Sequence, residues 1–209
     1  MIVEPKSKGF ICTTAHPTGC CKNVEEQIEY AKKAGESFAA DKEKTWKKVL
    51  IIGASTGYGL ASRIAAAFTC KADTIGVMFE RPAAGKRTAT AGWYNTQAFD
   101  KMAKEAGLYS KSVNGDAFSD ETKKEVIETI KKDLGKVVLV IYSLAAPRRT
   151  ASDGNSYTSV LKTVDEEFTT KSLNLNNNEV ITATLEPATQ EEIEGTVKVM
   201  GGEDWELWI

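Results

Sequence analysis

Seven residues, Gly53-Ala54-Ser55-Thr56-Gly57-Tyr58-Gly59, stand directly after the apolar run Val49-Leu50-Ile51-Ile52 and directly before an amphipathic stretch. Between a strand and a helix, glycines so spaced allow a tight turn and a close backbone approach to a phosphate. The unpaired amides at the helix start then face its negative charge. The chemistry implied is the binding of a pyrophosphate, and hence of a dinucleotide. The competing reading is a glycine-rich turn that holds no ligand.

Other candidate residues fall at the ends of further apolar runs. Thr74-Ile75-Gly76-Val77-Met78-Phe79 is followed by Glu80, where folds of this kind set a carboxylate on the adenosine ribose hydroxyls. Glu80 favours NADH, because a 2'-phosphate at that point would face a like charge. Arg81, Lys86 and Arg87 are the residues that would meet a 2'-phosphate instead, so NADPH stays open as the alternative. Asn114-Gly115-Asp116-Ala117 and Ser143-Leu144-Ala145-Ala146 end two more runs. Ligands of open α/β sheets bind at such carboxyl ends, with Asp116 accepting from an adenine amino group and the Leu144-Ala145 backbone lying against a nicotinamide ribose. Capping and turn chemistry accounts for the same residues equally well.

These residues need a sheet to position them. From Lys47 onward, short β-branched runs alternate with longer amphipathic stretches, the pattern of parallel strands joined by crossover helices. Strands are expected at Val49–Ile52, Thr74–Phe79, Tyr109–Val113 and Val137–Tyr142. Helices are expected at Gly59–Phe68, Asn95–Ala106 and Asp120–Leu134, the last capped by Ser119. Val24 to Phe38 reads as a further amphipathic helix, and Pro17 with Gly19 as a turn. Ser152 to Pro187 changes character, being rich in Ser, Thr and Asn. Its alternating stretches Ser159–Val164 and Val180–Leu185 suggest an inserted hairpin with Asn174–Asn178 at its tip. Helical spacing resumes at Thr189 to Met200 and again from Glu203. The fold class expected is α/β, a doubly wound parallel sheet of Rossmann type. Its parts are an N-terminal extension (1–46), the dinucleotide-binding core (47–150), the inserted β-hairpin (151–188) and the start of a helical segment (189–209).

Composition narrows the function classes. With 42% hydrophobic and 27% charged residues the chain reads as an ordinary globular protein, and its net charge of -2 offers no footprint for nucleic acid. No apolar run has membrane-spanning length, and no signal-peptide pattern opens the sequence, so a cytoplasmic location is expected. Cys12, His16, Cys20 and Cys21 lie close together but lack the Cys-x2-Cys spacing of a zinc knuckle. No metal site is assigned, and the four cysteines are expected as free thiols.

Six segments in order give the chain a family resemblance. They are Ala15-His16-Pro17-x-Gly19-Cys20, the loop Gly53 to Gly59, Gly92-Trp93-Tyr94-Asn95, Gly115-Asp116-Ala117-Phe118-Ser119-Asp120, Val140-x-Tyr142-Ser143-Leu144-Ala145, and Val199-Met200-Gly201-Gly202-Glu203-Asp204-Trp205-Glu206. With the Gly-x3-Gly-x-Gly spacing familiar from short-chain dehydrogenases, the chain resembles the trans-2-enoyl-CoA reductases, which include the V type of bacterial enoyl-acyl-carrier-protein reductase. The resemblance implies NADH-dependent reduction of the C2=C3 double bond of an enoyl thioester, carried on coenzyme A or acyl-carrier protein, in fatty acid metabolism. It also implies a monomer. The cofactor-binding positions it carries over are Gly53, Ala54, Ser55, Thr56, Gly57, Tyr58, Phe79, Glu80, Asp116, Ala117, Leu144 and Ala145. Another short-chain oxidoreductase and a non-catalytic NAD(H)-binding module are the rival readings.

One departure stands out. The family pairs a catalytic tyrosine with a lysine nine residues on, and none of Tyr30, Tyr58, Tyr94, Tyr109, Tyr142 and Tyr157 has such a partner. Tyr157 and Lys162 come nearest and miss, so no catalytic residue is assigned within the chain, and Tyr142 is read as the end of a strand. Four strands are also fewer than a doubly wound sheet usually carries, and Trp205 to Ile209 lack a C-cap. The expectation is a longer protein whose Tyr-x8-Lys follows Ile209.

Overall fold

The computed structural model describes residues 3–8, 11–36 and 46–209. It divides into two compact units, one built on Thr13–Leu144 and one on Ala145–Ile209, with the short paired strands β1 (Ser7–Lys8) and β2 (Ile11–Cys12) assigned to the second.

The first unit is a parallel sheet of β3 (Lys48–Ile52), β4 (Asp73–Met78), β5 (Ser110–Asn114) and β6 (Leu139–Tyr142), in the spatial order β5-β4-β3-β6. The order places β3 between β4 and β6, so the chain reverses its winding direction beside the strand that precedes the glycine loop. In register, Ile52 pairs with Val77 and with Tyr142, and Val77 with Val113. The four carboxyl ends therefore lie along one edge. Val49, Leu50, Ile51 and Ile52 are all buried, as a strand covered on both faces must be.

Helices α1 (Pro17–Gly35), α2 (Gly57–Ile64) and α3 (Ala91–Glu105) share one core, in which Val24 and Ile28 meet Leu60, Ile64, Phe68, Ala98 and Phe99. The Phe68 and Phe99 rings meet edge to face with centroids 5.9 Å apart, the orientation their quadrupoles favour. Two lysines of the segment entering β3 close the helices on either side: Lys47 Nζ donates to Cys70 O at 3.0 Å and Lys48 Nζ to Leu134 O at 2.6 Å. Each puts a positive charge at the negative end of a helix.

Several boundaries differ from expectation for visible reasons. His16 is the N-cap of α1, its Nδ1 accepting from Gly19 N at 3.0 Å with Pro17 in the first turn, so the expected turn is a helix start seven residues before Val24. The expected end of that helix, Ser37 and Phe38, lies outside the described residues. After α2 the chain widens into a π-helical turn, Ala65–Thr69, and α4 (Asp120–Thr129) does the same at Ile130–Leu134, so neither expected helix is uniform. Ser119 caps α4 by accepting from Thr122 N at 3.2 Å.

The second unit carries the antiparallel pair β7 (Arg148–Thr150) and β8 (Ser156–Thr158), the hairpin β9 (Phe168–Asn174) with β10 (Glu179–Leu185), and helices α5 (Gln190–Met200) and α6 (Glu203–Glu206). The hairpin turns at Leu175–Asn178, where Asn174 accepts from Asn176 N and Asn178 takes a positive φ of 58°. Its first strand is Phe168–Asn174, not Ser159–Val164. That earlier stretch instead carries on from β8, with Ser159 N donating to Pro147 O and Val160 N to Thr196 Oγ1, so these amides are not engaged in the hairpin. No described helix is long and apolar enough to cross a membrane.

Candidate functional site

The loop between β3 and α2 is built by three different glycine requirements. Gly53 has φ +82°, and a Cβ there would sit 1.9 Å from Ser143 O, so the turn presses directly against the end of β6. Both Gly53 N and Ala54 N donate to Val77 O, at 3.0 and 2.9 Å, which pins the turn to β4. Gly59 lets the first turn of α2 lie on Gly53, since a Cβ there would be 1.9 Å from Gly53 O. Gly57 has φ +53° and nothing within 4 Å of its added Cβ, so conformation and not crowding demands it. Thr56 provides no side-chain cap to α2, and the first amides of the helix point to a face where Thr56, Gly57 and Tyr58 are exposed. An uncapped helix start beneath an open glycine has room for a phosphate and amides to bind it.

Around the loop, the carboxyl ends of β4 and β5 bring further polar groups together. Ser55 Oγ donates to Glu80 Oε1 at 2.6 Å, and Asn95 Nδ2 donates to Ser55 O at 3.1 Å. The Asn114 carboxamide bridges the Glu80 backbone, accepting from its N at 2.8 Å and donating to its O at 3.0 Å. Thr90, the N-cap of α3, clamps Arg81 by donating N–H to its carbonyl at 3.0 Å and accepting from its N at 3.2 Å. Phe79 leaves the sheet with its ring largely exposed. Asp116 Oδ1 accepts from Phe118 N at 3.0 Å, which is turn chemistry, and buried Lys123 Nζ donates to Ala117 O and Phe118 O. Leu144 follows β6 beside Gly53, and Ala145 is the first residue of the second unit.

Sequence reasoning gave no role to Gly92, Asn95 or Asn114. Gly92 lies before the helix expected at Asn95–Ala106, so nothing local marked it; α3 begins at Ala91 and sets Gly92 in its first turn, where the Glu80 carboxylate needs the space. Beneath the loop lies a second unforeseen group, the fully buried Arg63. Its guanidinium donates to Ser112 Oγ at 2.8 Å, Lys111 O at 2.9 Å, Ser110 Oγ at 3.0 Å and Asp100 Oδ1 at 3.2 Å, and lies 4.4 Å from the Phe99 ring centroid. Burial pulls its pKa down to about 10, against the pull of Asp100.

Sheet order, loop and the carboxylate after β4 define a Rossmann-type α/β unit, of the class that binds dinucleotides at the carboxyl edge of the sheet. The chain belongs to the trans-2-enoyl-CoA reductase family: the sequence model of that family's NAD(P)H binding domain matches residues 2–85, and that of its catalytic region matches residues 87–209. Among curated relatives, an enoyl-[acyl-carrier-protein] reductase [NADH] of Pseudomonas fluorescens is 59% identical over 209 residues, covering 100% of this chain and 51% of the relative. A trans-2-enoyl-CoA reductase [NADH] of Clostridium perfringens is 59% identical over 210 residues, covering 100% and 52%. The crystal structure of Treponema denticola trans-2-enoyl-CoA reductase in complex with NAD superposes with a TM-score of 0.94 at 51% identity, over 100% of this chain and 53% of that one. This chain thus spans about half the length of the curated relatives it matches.

Proposed function

We propose that the protein carrying this chain uses NADH to reduce the C2=C3 double bond of a trans-2-enoyl thioester, leaving the saturated acyl thioester, and that it works as a cytosolic monomer. The observation that carries this reading is the open face over Gly57 at the uncapped start of α2, in a chain that matches enoyl reductases along its whole length. When bound, NADH supplies the hydride.

The residues of this chain bind and orient. Amides of Thr56 to Tyr58 face the pyrophosphate, while Gly53, Ala54 and Ser55 hold the turn that presents them. Glu80 accepts from the adenosine ribose hydroxyls, and Phe79 flanks it. Asp116, with one oxygen committed to Phe118 N, offers the other to the adenine amino group beside Ala117. Backbone at Leu144 meets the nicotinamide ribose. No residue of this chain is assigned the proton transfer.

The test is to add crotonyl-CoA and NADH to the protein carrying this chain and follow the loss of nicotinamide absorbance, with product analysis for butyryl-CoA. Stoichiometric conversion is expected, and much slower conversion with NADPH. Turnover of simple ketones in place of crotonyl-CoA would make the protein another short-chain oxidoreductase. NADH binding without turnover of either substrate would make it a binding module.

A further inference from the structure

An acid in a loop at the end of a strand is ordinarily free to turn away from a neighbour it dislikes. Glu80 is not. Its Oε1 is held at 2.6 Å by the hydroxyl of Ser55, a residue only 7% exposed whose own carbonyl is held by Asn95. Its backbone is bridged on both sides by Asn114. Its carboxylate also fills the space at Gly92, where an added Cβ would lie 2.0 Å from Oε1, 2.5 Å from Cδ and 2.8 Å from Ser55 Cβ. The glycine loop, the ends of β4 and β5 and the first turns of α3 therefore converge on one carboxylate.

We propose that Ser55 is a positioning residue that sets cofactor specificity: together with the space left by Gly92 it locks the Glu80 carboxylate in one orientation, so that the site accepts the free ribose diol of NADH and rejects the 2'-phosphate of NADPH. The proposal rests on the reading of Glu80 as the ribose-binding acid. A mobile glutamate yields to a phosphate by rotating, and water screens the charge that remains. A fixed one keeps its negative charge and its spare lone pairs at the ribose, with the reorientation cost met in advance by the fold. Ser55 is also part of the loop expected to face the pyrophosphate, and that group is common to both cofactors. A contact there shifts both affinities together, whereas an effect transmitted through Glu80 shifts their ratio.

The experiment measures dissociation constants of NADH and NADPH by fluorescence titration of the protein carrying this chain and of four variants: Glu80→Gln, Ser55→Ala, Gly92→Ala and the double variant Ser55→Ala/Glu80→Gln. Ser55→Ala is expected to narrow the preference for NADH by about tenfold, the scale of one hydrogen bond to a charged group. Gly92→Ala, which displaces the carboxylate sterically, narrows it similarly and serves if Ser55→Ala is poorly folded. In the Glu80→Gln background Ser55→Ala leaves the ratio where it was. If Glu80→Gln narrows the preference but neither Ser55→Ala nor Gly92→Ala does, the positioning role is wrong while the reading of Glu80 stands. If Glu80→Gln leaves the ratio unchanged, both fall.

Discussion

The guanidinium of Arg63 occupies the space that a Cβ on Gly76 would need: such an atom would lie 2.5 Å from Nη1 and 2.7 Å from Cζ. Gly76 sits in the middle of β4, where glycine adds nothing to strand stability, so its presence is explained by the arginine beneath it. Gly76→Ala is expected to destabilise the protein by about 1–3 kcal/mol through overpacking. In an Arg63→Leu background, itself destabilised because Ser110 and Ser112 lose the guanidinium as a donor and Asp100 keeps only their hydroxyls, the same alanine should cost much less. Chemical denaturation of the four proteins in this cycle gives the coupling, and simple additivity would show that the two sites do not compete for space.

The same alanine would also lie 2.9 Å from Ala54 Cβ, in the glycine loop. Gly76→Ala is therefore expected to weaken NADH binding as well as stability, by several-fold in titrations of the folded variant. Unchanged affinity would mean that the loop is set by Val77 O and Ser143 O alone.

Arg63 shows why part of this structure was hard to read from sequence. β3 and β4 were legible because a strand buried on both faces reads as a near-continuous apolar run, and the Gly53–Gly59 loop was legible because its glycines stand between such a run and a helix. The partners of Arg63 come from α3, β4 and β5, and no local pattern joins them. The available hint was its place three residues after Leu60 and four before Ala67, on the buried stripe of the helix. The strand Phe168–Asn174 was missed for the opposite reason. Both faces of that hairpin are largely exposed, so no alternation of apolar and polar residues marks its first strand, whereas the alternating Val180–Leu185 and the Asn-rich turn were plain. At the site, Glu80 was found by its place at the end of the second apolar run, but the groups that fix it lie on other elements and only the fold brings them together.

In the second unit, Glu192 closes a capping box on α5, accepting from Thr189 N at 2.9 Å, and receives Lys162 Nζ at 2.7 and 2.8 Å. The hydrogen bond from Lys162, and then that from the Thr189 backbone, hold its carboxyl below the ordinary value of 4.5. A depressed acid contributes stability that is present above its ordinary pKa and lost as pH falls through the lower, folded value. Glu192→Gln keeps the box geometry and removes the charge, so it should lower the thermal midpoint at neutral pH, with the gap to the parent closing under acid conditions below 4.5. Melts followed by far-UV circular dichroism across that range test it. A gap independent of pH would assign the effect to packing.

Gly57 separates two explanations of the loop, because its backbone needs a left-handed residue while its added Cβ meets nothing. If the loop is merely a turn, any side chain that tolerates positive φ should be harmless there. If the open face is where a pyrophosphate lies, even a tolerated side chain will obstruct it. Asparagine is the informative choice, since its short polar side chain enters the left-handed region more readily than others. Gly107 provides the control: it has φ +69°, also has open space at its Cβ, and lies just before β5, at the sheet edge opposite the loop. Gly57→Asn and Gly107→Asn should then lower stability alike, each by about 0.5–1 kcal/mol. Only Gly57→Asn should weaken NADH binding, by roughly tenfold or more, since the backbone can no longer approach the pyrophosphate closely. Equal affinities in the two variants, with both folded, would leave the loop as a turn and remove the residue-level basis of the dinucleotide site.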